Sequence, residues 1–152
     1  MTPVRALARV LTGSTYALLG CDAFRAPGGR VDMAGPVLAA LRRVVPLPGD
    51  DQLVVRGNAA VQVVAGSLLA AGAAQRLSAV ALVGSLIPTT LTGHRFWSAH
   101  DPGVRAVQRI QFHKNMAMIG CLLFAVLDDT GSHVAVSGGG RSANPGPAAP
   151  AL

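Results

Sequence analysis

The chain has 152 residues, of which 51% are hydrophobic and 13% are charged, and its formal net charge is +6. The charged fraction is about half that of an average soluble domain, which argues against a water-soluble fold and for a membrane protein of one domain. Nucleic-acid binding is also disfavoured, because the basic residues lie between apolar blocks, where they indicate topology and contact with anionic headgroups.

The first apolar segment covers residues 6–24 and is the least hydrophobic of four. Gly13, Ala17 and Cys21 recur four residues apart, which predicts a smooth helix face for packing. Cys21 also follows Leu-Leu-Gly, a pattern typical of bacterial lipidation sites. We interpret it as a packing residue of a retained first helix, because three further apolar segments follow and the bundle needs the first.

Asp22 lies near the end of this segment, where a carboxylate facing lipid is costly. Arg25 follows one helical turn later, so we predict an intramembrane ion pair between the two. A role of Asp22 in handling a ligand or a proton is the alternative interpretation.

Residues 36–45, PVLAALRRVV, are too few to cross a bilayer. Arg42 and Arg43 beside apolar neighbours are typical of a helix in the membrane interface. We therefore predict a short interfacial helix here, after a turn at residues 26–29 and before Pro46.

Three longer apolar blocks follow, each bracketed by charges at bilayer spacing. Arg56 and Arg76 enclose 19 residues without an ionised side chain, and Arg76 and Arg95 enclose 18. Arg109 and Asp128 enclose another 18, which include Lys114 near the start. At 1.5 Å per residue, such blocks span about 27–28 Å, the thickness of a hydrocarbon core. We predict membrane spans at residues 57–75, 77–94 and 110–127, the second of them kinked at Pro88.

The entrance to the last span carries the most informative polar residues. If the last two helices form an antiparallel hairpin through a polar loop at 98–109, five side chains converge at one membrane face: His94, Trp97, His113, Lys114 and Asn115. Such a cationic and aromatic group suits a quinone, whose carbonyls need donors, or a lipid phosphate. Plain interfacial anchoring needs the same residue types, and catalysis is a third alternative. No Cys/His cluster indicates a metal.

The sequence here resembles the DoxX family of small four-helix membrane proteins. The resemblance rests on Gln75-Arg76-Leu77, on Leu91 through Trp97, and on Phe112 through Gly120, with a looser fit at 5–24; it covers about residues 5–127. It implies four membrane-spanning helices in the cytoplasmic membrane. Some relatives are linked to thiosulfate:quinone oxidoreduction and others to oxidative-stress assemblies.

We therefore predict an all-α fold, a four-transmembrane-helix bundle with a short interfacial helix between helices 1 and 2. The transmembrane domain covers residues 1–129, and the Gly-, Pro- and Ala-rich tail at 130–152 is expected to be disordered. The expected function is an accessory or redox-linked membrane subunit that contacts quinone or lipid headgroups. Its partners are the bilayer and an oxidoreductase or a second copy. A structural or lipid-interacting protein without catalytic activity is the alternative, and a small transporter is the second one.

Charge distribution predicts the orientation of the chain. Residues 25–56 and 95–114 hold nine of the 13 Lys and Arg residues. Because excess positive charge marks the cytoplasmic side, both termini are expected to face outward.

Overall fold

A computed structural model describes the backbone of residues 2–137 and the side chains of residues 2–127. This part of the chain contains no β-strand, so the prediction of an all-α fold is confirmed. It forms five α-helices and one short 3-10 turn: α1 (Pro3–Arg25), α2 (Gly29–Leu41), α3 (Asp51–Ala71), α4 (Gln75–Gly93), the turn Phe96–Ser98, and α5 (Pro102–Ser137).

Three helical segments within these residues are long and apolar enough to cross a membrane: Asp51–Ala71, Gln75–Ser98 and Pro102–Leu127. They correspond to the three predicted spans at 57–75, 77–94 and 110–127. The helix α1, predicted as a span at 6–24, is not among them. Its 23 residues are long enough, but Arg9, Asp22 and several hydroxyl side chains lower its hydropathy.

The helix α3 begins at Asp51, six residues before the predicted start. Asp50 explains the difference, because its side chain accepts hydrogen bonds from the backbone N–H groups of Gln52 and Leu53 at 2.8 and 3.3 Å. Gly72, with a φ of +78°, ends the helix four residues before the predicted end. The helix α3 therefore starts in polar residues ahead of its apolar block, and it ends before that block does.

The sequence predicts the short helix at residues 36–45, but α2 occupies Gly29–Leu41, with Pro36 inside it. The predicted boundaries are wrong at both ends. Gly28, at a φ of +44°, separates α2 from α1, so the helix starts immediately after this residue. Beyond the end of α2, Arg42 donates hydrogen bonds to the carbonyl oxygen of Pro48 and forms an ion pair with Asp51. These contacts hold residues 42–50 as a compact connection.

The prediction of a polar loop at residues 98–109 is also wrong over most of its length, because residues 102–109 are helical. Asp101 accepts a 2.8 Å hydrogen bond from the backbone N–H of Val104 and caps a helix that opens with Pro102. The helix α5 continues to Ser137, past the predicted tail boundary at Thr130. The rest of that tail, residues 138–152, lies outside the described residues.

The helices α1 and α3 pack in very close contact through glycine. A Cβ atom on Gly66 would lie 2.7 Å from the carbonyl oxygen of Gly13 and 2.8 Å from the backbone N of Ala17. Nearer the end of α1, a Cβ on Gly20 would lie 3.0 Å from the carbonyl oxygen of Ala59. The chain order of these contacts makes the two helices antiparallel. Gly13 and Ala17 of the predicted smooth face lie in the contact, together with Gly20.

The remaining helices pack in sequence, α3 on α4 and α4 on α5, while α2 contacts both α3 and α4. One apolar core joins α1, α3, α4 and α5: Tyr16, Ala65, Leu69, Ala79, Leu82, Leu86 and Leu122. Because neighbouring helices are antiparallel, one end of the assembly holds the end of α1, the start of α3, the connection 94–101 and the start of α5. We call it the basic end, because residues 25–56 and 95–114 meet there.

We expect Gly66→Leu to lower the melting temperature of the protein in mild detergent, since the new side chain must displace the backbone of α1, at a cost of about 1–3 kcal/mol. Gly84→Leu is the matched control, because a Cβ at Gly84 meets no atom within 4 Å. Melting followed by size-exclusion chromatography measures both. Equal effects of the two substitutions would contradict the close packing of α1 on α3.

Candidate functional site

Three threonines follow Pro88 in α4, and each donates a hydrogen bond to a carbonyl oxygen of its own helix. Thr89 bonds Ser85 at 2.9 Å, Thr90 bonds Leu86 at 2.7 Å, and Thr92 bonds Pro88 at 2.8 Å. Proline lacks an N–H and interrupts the helical bonding pattern at this point. The hydroxyl groups therefore engage carbonyls around the proline within an apolar helix.

Two asparagines from the neighbouring helices bind these threonines. Asn58 of α3 donates to the Oγ1 of Thr89 at 3.0 Å, and Asn115 of α5 donates to the Oγ1 of Thr90 at 3.0 Å. Each threonine hydroxyl thus donates within α4 and accepts from another helix. The two bonds hold α3, α4 and α5 in a common register at one level, which we call the Asn–Thr layer.

His94 marks the end of α4 and bonds α5 closer to the basic end. Its Nδ1 lies 2.9 Å from the Oε1 of Gln108, and both side chains are partly buried. A glutamine oxygen only accepts, so this ring nitrogen carries the proton. The sequence alone does not identify Gln108 as a site residue, because it predicts a polar loop at this segment. Its spacing of seven residues from Asn115 places the two on one face of α5 once that segment is known to be helical.

An aromatic cluster lies beside this pair. The ring centroid of Phe96 is 5.1 Å from that of Trp97 and 5.5 Å from that of Phe112, and Trp97 lies 6.0 Å from Phe112. All three pairs have edge-to-face geometry, a favourable arrangement of aromatic rings. Trp97 remains 53% exposed, so it lies at the rim of the α4–α5 contact.

The five predicted site residues do not all point into one place. His94 and Asn115 lie in the contact between α4 and α5, and Trp97 covers its rim. His113 is exposed; its Nδ1–H donates to the carbonyl oxygen of Arg109 at 2.8 Å, and its ring lies 5.8 Å from Phe112. Lys114 is exposed as well. The structure thus joins two of the five to polar partners in the helix contact and leaves two at the periphery.

The predicted pair of Asp22 and Arg25 lies on the last turn of α1. Both side chains are exposed, and no ion pair joins them among the described residues. An ion pair is formed instead by Arg42 and Asp51, at 2.6 Å. In residues 2–127, no group of three or more His, Cys, Asp and Glu side chains is arranged to hold a metal ion.

Long apolar helices joined through partly buried amide and hydroxyl groups define a multi-pass integral membrane protein of the all-helical class. The sequence model of the DoxX family matches residues 4–95, more than half of the chain, and the protein belongs to this family. The match includes the Gln75-Arg76-Leu77 and Leu91–Arg95 segments. It ends before Phe112–Gly120, so this third motif lies outside the matched region. No curated protein and no solved structure gives a significant match.

Proposed function

We propose that the protein crosses the cytoplasmic membrane four times, with α1 as the first span and α2 as an interfacial helix. The length of α1 supports this, since 23 residues extend about 35 Å as a helix. Its close packing along α3, itself a candidate span, is further support, because a helix in backbone contact with a membrane span shares that span's environment. The concentration of basic residues at one end favours that end as cytoplasmic.

Within this arrangement, we propose a binding site for a quinone or lipid headgroup between α4 and α5 at the basic end. The observation that carries the proposal is the Asn115–Thr90 bond at 3.0 Å beneath the aromatic rim of Trp97. Asn115 uses one N–H for Thr90 and makes no other hydrogen bond to the described residues, so its second N–H and its oxygen are available to a ligand. His94 offers its second ring nitrogen, and the exposed Lys114 adds positive charge at the periphery.

The chemistry of these groups fits both headgroup types. A quinone carbonyl needs hydrogen-bond donors and its ring contacts aromatic side chains, while a lipid phosphate needs donors and a cation. The protein then acts as an accessory or redox-linked subunit that presents this ligand to an oxidoreductase partner or to a second copy of itself. The competing function is a structural, lipid-interacting protein, in which the same residues only anchor the helices at headgroup depth. A small transporter has less support, because the candidate spans carry few ionisable groups near their centres.

The substitution Asn115→Leu tests the site. We expect it to preserve membrane insertion and to reduce the copurifying quinone or phospholipid about three- to tenfold, as the loss of one or two hydrogen bonds predicts. Lipid extraction and mass spectrometry of the protein purified in mild detergent measure this. Asn58→Leu is the matched control, because Asn58 makes the equivalent bond to Thr89 on the α3 side.

The control variant is expected to retain the ligand. Equal losses in the two variants would show that the asparagines act only through the stability of the bundle. No loss in either variant would leave the group as an interfacial anchor and contradict the proposed site.

The four-span arrangement is tested by labelling single cysteines in a background in which Cys21 and Cys121 are alanine. We expect Thr2→Cys to react with a membrane-impermeant maleimide in intact cells, since the start of α1 faces outward. Arg43→Cys, in the connection after α2, is expected to react only after permeabilisation. Labelling of both positions under the same conditions would contradict a membrane-spanning α1.

A further inference from the structure

Two more polar side chains lie one helical turn deeper than the Asn–Thr layer. Asn58 and Thr89 are joined by a hydrogen bond, and α3 and α4 are antiparallel, so four residues forward on α3 and four back on α4 bring Gln62 and Ser85 to the same level. Both share a helix face with the bonded pair. They are deeply buried, with 8% of Gln62 and 5% of Ser85 exposed.

Neither side chain has a hydrogen-bond partner among the described residues. The hydroxyl of Ser85 is fully enclosed and unbonded, and no bond is formed by the amide of Gln62. Other hydroxyl groups in the same helix, those of Thr89 and Thr90, bond to carbonyls one turn earlier. An unbonded amide on a buried residue and an enclosed, unbonded hydroxyl at the same level are groups that buried water binds in proteins.

The position of the two residues connects them to the basic end. From Ser85, polar groups recur at each turn of α4 toward its end: Thr89 and Thr90 with their asparagines, then His94 with Gln108. Ser85 is eight residues from Gly93, a depth of about 12 Å. This continuous series of amide, hydroxyl and imidazole groups reaches the middle of an apolar helix.

We propose that Gln62 and Ser85 form an internal water-binding site at the inner end of a hydrated polar track that opens at the basic end. The track gives water access to the centre of the helix assembly from one side of the membrane. The water-binding site requires no quinone or lipid at Asn115, so its test is independent of the test of the proposed headgroup site.

Ser78 provides a stringent comparison, because it is also buried, at 2% exposed, with an enclosed and unbonded hydroxyl. The register that places Gln62 level with Ser85 places Leu69 level with Ser78, so Ser78 has no amide neighbour at its level. It also lies only three residues from the start of α4, so it is closer to its end of the helix than Ser85. Depth alone therefore favours water at Ser78, whereas the polar track favours water at Ser85.

The test is the rate of deuterium labelling of the thiol group from D2O, followed by the infrared S–H band, in Ser85→Cys and Ser78→Cys of the full-length, membrane-embedded protein with Cys21 and Cys121 replaced by alanine. The thiol proton exchanges through the thiolate, which forms only where water reaches the sulfur. Both substitutions are nearly isosteric, so the bundle is expected to fold. We expect Ser85→Cys to exchange about tenfold faster than Ser78→Cys.

A second substitution tests the glutamine. Adding Gln62→Leu to Ser85→Cys is expected to bring labelling down to the rate of Ser78→Cys, because the water loses its amide partner. A Ser85→Cys rate equal to or below that of Ser78→Cys would overturn the proposal. An unchanged rate after Gln62→Leu would show that Gln62 does not contribute to the site, and it would overturn the proposal of a site formed by both residues.

Discussion

The hydrogen bonds of Asn58 and Asn115 to adjacent threonines of α4 are the constraint on which the rest of the arrangement depends. Apolar side chains alone determine helix register poorly in a membrane, because lipid tails are as apolar as the core. An amide in this setting needs a partner, and each asparagine finds one at a defined height on α4. Such interhelical bonds contribute only about 0.6–1.7 kcal/mol each. Their importance here lies in specifying one register rather than in total stability.

The register brings together elements that are distant in the sequence. It sets Gln108 against His94 at the end of α4 and places the aromatic rings of Phe96, Trp97 and Phe112 around the start of α5. On the other side of α3, Gly66 allows α1 to approach at backbone distance. The polar groups therefore concentrate toward the basic end of α4, while the opposite half of the core is mainly Leu and Ala.

Charge spacing in the sequence predicts the long apolar helices well, because ionised side chains are excluded from the centre of such helices. It predicts their ends poorly. A helix needs only backbone hydrogen bonds and a cap. The helix α3 therefore starts directly after the Asp50 cap and α5 directly after the Asp101 cap, well before their apolar blocks. The polar character of Asn115 and His94 was visible in the sequence. Their partners Thr90 and Gln108 were not, because pairing depends on the register of two helices and on knowing that the segment at 102–109 is helical.

The pairing of Thr90 with Asn115 is the central claim, and cross-linking of paired cysteines in native membranes tests it most directly. In a background without native cysteines, Thr90→Cys combined with Asn115→Cys is predicted to cross-link readily with a short bifunctional methanethiosulfonate. Thr90→Cys combined with Ile119→Cys, one turn further along α5, is predicted to cross-link much more slowly. Faster cross-linking of the shifted pair, or none in either pair, would contradict the register and the polar site that depends on it.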